Sequence, residues 1–163
     1  MSGFRNFLAR GVLSLVNAGS KMQGLQMRLT ADEVKDGMEH FEPYGLTSNP
    51  QPGAEALAAF LNGDRSHGVV ICVSDRRFRL QGLKSGEVAL YTDEGDYLHF
   101  KRDRVIEVST LTLKVKAETA VEFDTPVIRT TGRIESAGDQ IAAGVSTSLH
   151  VHEGSDKKPV PES

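Results

Sequence analysis

Apolar side chains in the first half of the chain fall in short runs separated by turn residues. The strongest run is Gly68 to Val73, where Val69-Val70-Ile71-Cys72-Val73 is apolar and mostly β-branched, a composition that favours strand. Val12 to Val16 and Leu25 to Leu29 are weaker runs of the same kind. Ala54 to Leu61 is rich in alanine, which prefers helix, but Asn62-Gly63 lies between it and the Gly68 run. That dipeptide is a hairpin signal, so both flanking runs are predicted as strands. Arg77 to Leu80 and Glu87 to Tyr91 are further short candidates, and Pro43, Pro50, Pro52 and Gly53 mark an irregular stretch before the hairpin. At the start, Phe4, Phe7 and Leu8 can share one face of a short helix. Several short strands with turn signals between them predict a small β-barrel of OB type.

The texture changes after the turn Asp93-Glu94-Gly95-Asp96. Leu111, Leu113, Val115 and Ala117 alternate with Thr112, Lys114 and Lys116, and Val121 and Phe123 alternate with Glu122 and Asp124. Period-two alternation predicts one buried and one wet face. Some 40 residues with small or medium inward side chains struggle to close a core alone. Stacked β structures solve the problem by burying each unit against a neighbour, and this chain shows no tandem repeat of fixed period. Two arrangements fit equally: an interlaced threefold β-prism, in which the neighbours are other copies, or a sheet extension within a monomer.

Composition narrows the function classes. The 163 residues carry a formal net charge of −3, which argues against a dedicated nucleic-acid binder. Residues 1–29 hold Arg5, Arg10, Lys21 and Arg28 and no acidic residue, so this segment either packs within its own fold or docks on a partner ring. Trp is absent, so large core anchors are scarce. The single cysteine, Cys72, excludes an intrachain disulfide and a cysteine-rich zinc site, and its apolar setting predicts a small core residue. This suits assembly in a reducing cytoplasm. No segment approaches the ~20 apolar residues that span a bilayer, so the chain is expected to be soluble when made.

The sharpest candidate chemistry is His150 and His152. In an extended segment residues i and i+2 face one side, so both imidazoles point together. One pair is too few ligands for a metal, whereas three chains would bring six nitrogens, an octahedral set suited to iron or nickel better than to four-coordinate structural zinc. The alternative is two exposed histidines near a chain end. Asp93, Glu94 and Asp96 lack the ligand series of an EF-hand and read as a turn. Ser66 and His67 are adjacent, but no orienting acid is indicated. His40 and His99 adjoin apolar positions and read as structural. With no phosphate loop, protease motif or evident glycosidase pair, no enzyme activity is expected.

Six stretches, in order, carry a resemblance. They are His40-Phe41-Glu42-Pro43-Tyr44-Gly45, Pro52-Gly53-Ala54-Glu55, Gly63-Asp64-Arg65-Ser66-His67-Gly68, Asp75-Arg76-Arg77, Gly86-Glu87-Val88-Ala89-Leu90-Tyr91 and Asp93-Glu94-Gly95-Asp96. Over roughly residues 5–100 the chain resembles the baseplate spike proteins of Mu-like phages, the baseplate assembly protein V group. Phe123-Asp124-Thr125-Pro126 and Thr131-Gly132 resemble spike shafts more loosely. The resemblance implies an all-β chain: an OB-like domain with an N-terminal docking segment over 1–95, a trimeric β-helix shaft over 96–148 and a tip over 149–163. It implies one iron per trimer, held octahedrally by His150 and His152 of each chain, with calcium and chloride as further ions of the shaft. The implied partners are two more copies, the baseplate hub and tail tube, and the host outer membrane surface, with no nucleic acid. The implied location is the tail-baseplate tip of the virion, after assembly in the host cytoplasm, and the implied action is mechanical piercing on sheath contraction. A monomeric OB-type module for nucleic acid or glycan is the rival, weakened by the acidic balance and the lack of a basic aromatic face.

Overall fold

A computed structural model describes residues 7–30 and 33–147. The chain divides into two compact units between Lys114 and Val115. The first begins with five strands, β1 (Leu8–Asn17), β2 (Gly24–Thr30), β3 (Glu33–His40), β4 (Glu55–Phe60) and β5 (Gly68–Ser74). They close into a barrel in the order β1-β2-β3-β5-β4. All neighbours are antiparallel except β3 and β5, which run parallel through Glu39–Val69 and His40–Val70. Closure removes the open sheet edges that invite aggregation, and the strand order is that of the OB-type barrel expected from the sequence.

The barrel is narrow because its core is built from small side chains. Leu13, Leu25, Met27, Met38, Ala54, Ala56, Ala58, Phe60 and Val70 form the buried cluster. Phe60 is the largest fully buried side chain. The alanines of β4 keep the interior small, and two glycines allow close approach. A Cβ on Gly68 would lie 2.6 Å from the Phe60 ring, and one on Gly11 would lie 2.5 Å from the Arg28 carbonyl oxygen. The alanine-rich run is therefore a strand whose small side chains are set by barrel radius, a tertiary demand that overrides helix propensity.

Four local expectations are corrected. Cys72 is exposed. The β4–β5 pairing shifts by one between Leu57–Cys72 and Ala58–Val70, and a one-residue shift turns the following side chain to the other face. Asn62-Gly63 does not form a two-residue hairpin; a 3-10 turn at Leu61–Gly63 begins a longer connection. Arg77 to Leu80 is a turn rather than a strand, because Asp75 accepts bonds from the Arg77 backbone N–H (2.9 Å) and its guanidinium. Phe7 and Leu8 are not helical: Phe7 lies in a bend and Leu8 opens β1. The strand β3 escaped notice because Glu33-Val34-Lys35-Asp36-Gly37-Met38-Glu39-His40 is mostly polar; only Met38 and His40 are buried.

His40 is structural, as expected. Its Nδ1 lies 2.9 Å from the Gln23 side-chain oxygen, while the Gln23 amide nitrogen donates to the Ser48 carbonyl at 2.7 Å. Burial holds the His40 pKa below its ordinary value, with Glu42 opposing. The pair pins the loop over 41–54 to β2. That loop is also tied by Glu42, which accepts from the Ser48 N–H and hydroxyl and from the Thr47 hydroxyl.

The first unit continues into a three-stranded antiparallel sheet, β6 (Val88–Tyr91), β7 (Tyr97–Phe100) and β8 (Ile106–Ser109). The second unit contains a short hairpin, β9 (Ile141–Ala142) and β10 (Val145–Ser146), turning through Ala143 and Gly144, both at positive φ. Because Phe60 is the largest fully buried side chain of the core, Phe60→Ala is expected to destabilise the barrel by about 3–5 kcal/mol in denaturant unfolding. A cost under about 1 kcal/mol would mean that the ring is not the core's anchor.

Candidate assembly surface

The sheet β6–β8 has two unlike faces, fixed by its register. Val88 pairs with Phe100 and Leu90 with Leu98; Leu98 pairs with Val108 and Phe100 with Ile106. These six apolar residues occupy alternate positions and share one face. Val88, Leu90, Phe100, Ile106 and Val108 are exposed, with Val88 at 61% and Ile106 at 59%. The face is a continuous apolar surface with no cover among the described residues. Full burial of such a side chain is worth about 1.5–3 kcal/mol, so leaving the face in water forfeits several kcal/mol.

The opposite face is polar and internally satisfied. The Tyr97 hydroxyl donates to Glu107 at 2.6 Å, and Lys101 Nζ donates to the other Glu107 oxygen at 2.6 Å. Lys101 and the Tyr97 hydroxyl hold the Glu107 carboxyl below its usual range, while Glu107 raises the Tyr97 and Lys101 pKa values. Glu87 is the clamp. Its side chain is 4% exposed. It accepts from the backbone N–H of Arg102 (3.0 Å) and Lys84 (2.9 Å), with His99 Nε2 at 3.2 Å. The Arg102 and Lys84 N–H groups, then His99, keep its pKa below the ordinary value. This clamp steadies the β7–β8 turn, where Asp103 and Arg104 sit at φ 62° and 60°, left-handed conformations that cost on the order of 1 kcal/mol each.

Beyond β8 the chain lies outside any strand ladder among the described residues. From Thr110 to Gly138 no residue belongs to a strand, while bends recur at 118–119, 125–126, 131–132 and 137–138. Local hydroxyls brace this stretch: Thr125, Thr130 and Ser136 each donate to the carbonyl two residues on, at 3.2, 3.2 and 2.8 Å. Leu111 is 99% exposed, and Leu113, Val115, Phe123, Ile128 and Ile134 are exposed as well. Extended backbone needs partners for its N–H and C=O groups, and alternating apolar side chains need a face to meet. The described residues supply this stretch with neither a ladder nor such a face.

The other sequence candidates resolve as follows. His150 and His152 lie outside the described residues. Among the described residues no group of three or more His, Cys, Asp or Glu side chains is placed to hold a metal. Asp93 to Asp96 form the β6–β7 turn, closed by the Thr92 N–H donating to the Asp96 carbonyl at 2.9 Å. Ser66 and His67 sit in an exposed loop where Asp64 accepts from the Ser66 N–H and hydroxyl. Ser66 Oγ lies 3.1 Å from His67 Nδ1, and Asp64 faces that same nitrogen at 3.9 Å while accepting from the hydroxyl at 2.7 Å, so the acid does not sit behind the base as a triad requires. His99 is structural, on Glu87. Sequence reading passed over the bare face of β6–β8, although Val88/Leu90, Leu98/Phe100 and Ile106/Val108 each show the i, i+2 signal.

Among the described residues, a closed barrel is followed by a three-stranded sheet with one exposed apolar face and by a long stretch outside any strand ladder. The family model "Bacteriophage Mu Gp45, N-terminal" matches residues 10–77, from β1 to just past the end of β5. The baseplate puncturing device gp45 of Escherichia phage Mu is 34% identical over 171 residues, covering 94% of this chain and 87% of that protein. The Mu-like prophage FluMu protein gp45 of Haemophilus influenzae is also 34% identical, covering 98% and 93%. The chain belongs to the phage Mu gp45 family.

The Glu87 clamp has a pH consequence. A carboxylate with a depressed folded pKa contributes stability above its unfolded value, near 4.5, that is lost as pH falls through the folded value. Glu87→Gln is therefore expected to flatten the acid limb of the unfolding profile below about pH 4.5. An unchanged acid limb would remove Glu87 from that role.

Proposed function

We propose that three copies of this chain form the central spike of a contractile-tail baseplate, which pierces the host outer membrane when the sheath contracts. The observation that carries this reading is the stretch Thr110 to Gly138, which exposes Leu111, Leu113, Val115, Val121 and Phe123 at alternating positions yet joins no strand ladder among the described residues. It is joined by the 34% identity to a protein named as a baseplate puncturing device. Three such stretches wound together supply each other's missing hydrogen-bond partners and bury Leu111, Leu113, Val115 and Phe123 against one another. The bare face of β6–β8 is covered in the same assembly. The resulting β-helix shaft cannot unravel one chain at a time, so it transmits force along its length. The role is structural rather than catalytic, and the location is the tail tip of the virion, reached after assembly in the host cytoplasm.

His150 and His152 of three chains would hold an iron ion at the tip. The donor chemistry fits: two imidazoles at i and i+2 present nitrogens to one side, and three pairs complete an octahedral set. When bound, the ion would cross-link three chain ends. Calcium and chloride are further candidate ions of the shaft. The barrel end of the molecule would sit on the hub and tail tube.

Immunogold labelling of purified tails tests the placement. Label at the distal face of the baseplate is expected; label along the tube, or particles without the chain, would contradict it. Elemental analysis tests the tip separately, with about one iron per three chains expected. Replacing His150 and His152 together with Ala should abolish it, and unchanged metal content would remove these residues from the site.

A further inference from the structure

We infer that His40, Gln23 and Ser48 form an acid-sensitive latch on the loop over 41–54, and that the loop opens when His40 takes a proton. The inference stands on the barrel's own geometry and is independent of the spike reading.

The loop bridges the barrel and the β6–β8 sheet. Its Gly53 N–H donates to the Leu13 carbonyl at 2.8 Å, and its Pro52 carbonyl accepts from Arg77 at 3.0 Å. Its Gln51 bonds Asp93 of the β6–β7 turn. Midway, the loop is held at Ser48. The Ser48 carbonyl accepts from Gln23, while its N–H and hydroxyl donate to Glu42. The larger apolar side chains of the loop, Phe41, Tyr44 and Leu46, are exposed. A segment that buries so little apolar surface depends on its polar anchors.

The hydrogen-bond chain fixes where the protons are. The Ser48 carbonyl can only accept, so the Gln23 amide nitrogen faces it, at 2.7 Å. The Gln23 oxygen therefore faces His40, and an N–H at Nδ1 meets it at 2.9 Å. Neutral His40 then carries its lone pair on Nε2. Among the described residues Nε2 has no hydrogen-bond partner. It is the atom that takes the proton on acidification.

A positive charge there is poorly met. His40 and Gln23 are both buried. From the start of β2 the neighbours Gln23 and Gly24 are uncharged, and so is Val70, the register partner of His40 in β5. Glu39, next to His40 in β3, lies on the opposite face and is exposed. Glu42, on the loop, is the charged group that acts on His40. Its oxygens are already engaged by Ser48 and Thr47. Burial acts to raise the Glu42 pKa, but these bonds outweigh it and hold the carboxyl below its ordinary value. A protonated His40 has two outlets. Glu42 turns toward it and releases Ser48, or water enters and the Gln23–Ser48 bond is lost. Both free the same anchor. Burial keeps the His40 pKa below its ordinary value near 6.5, with Glu42 opposing. The latch therefore contributes fully above that value and is lost as pH falls through the folded one.

Amide hydrogen exchange of the full chain, expressed as protection factors at about pH 7.5 and about pH 5, tests the latch. Protection over 41–54 should fall at least about threefold on acidification, while β4 and β5 keep theirs. His40→Gln, whose amide can still donate to Gln23 but cannot titrate, should show no such fall. Histidine-selective nitrogen NMR of the wild type adds a readout that needs no variant. His40 should carry its proton on Nδ1 when neutral, and should gain the second over the range in which loop protection drops. Unchanged loop protection in the wild type, a fall that persists in His40→Gln, or a neutral His40 with its proton on Nε2 would each overturn the latch. The two wild-type readouts decide the matter alone if His40→Gln does not fold.

Discussion

The structure turns on a backbone without a ladder. From Thr110 to Gly138 the N–H and C=O groups of the chain join no strand ladder within the described residues. Water can satisfy such groups, but it cannot also cover Leu111, Leu113, Val115 and Phe123, which sit exposed in the same stretch. An extended strand with an apolar edge is normally an aggregation hazard. In the proposed assembly a closed set of identical chains would meet this stretch without leaving an edge.

The barrel answers the opposite need. It is closed, its backbone is paired, and its core is complete within one chain. It achieves this on a small scale, with one phenylalanine ring among alanines and with glycines where a methyl group would strike backbone or ring. The β6–β8 sheet stands between the two regimes. Its polar side is fully bonded through Glu87, His99, Tyr97 and Glu107, while its apolar side is bare. The exposed apolar face thus begins at β6, and exposed apolar side chains continue beyond β8.

Much of this was legible in the residues. The strands around Val12, Leu25 and Val70 announced themselves by composition, and Asp93 to Asp96 by turn chemistry. The alternation from Leu111 to Val115 by itself marks a face in need of a partner. What stayed hidden depended on tertiary geometry. The polar strand β3 holds its place by pairing with β2 and β5 rather than by an apolar face. The outward turn of Cys72 follows from a register shift in β4–β5 that no local pattern marks. The Arg77 turn required seeing Asp75 as its acceptor. His150 and His152 lie outside the described residues.

On the proposed reading, sheath contraction would ask the spike to carry compressive load without losing a chain, and an interlaced shaft would carry it because every strand is held by two others. The trimer would then be the functional unit, and its mass is the most direct measure of it. Sedimentation equilibrium of the purified protein at micromolar concentration should give three times the 17.7 kDa chain mass. A species at the mass of a single chain would contradict the account.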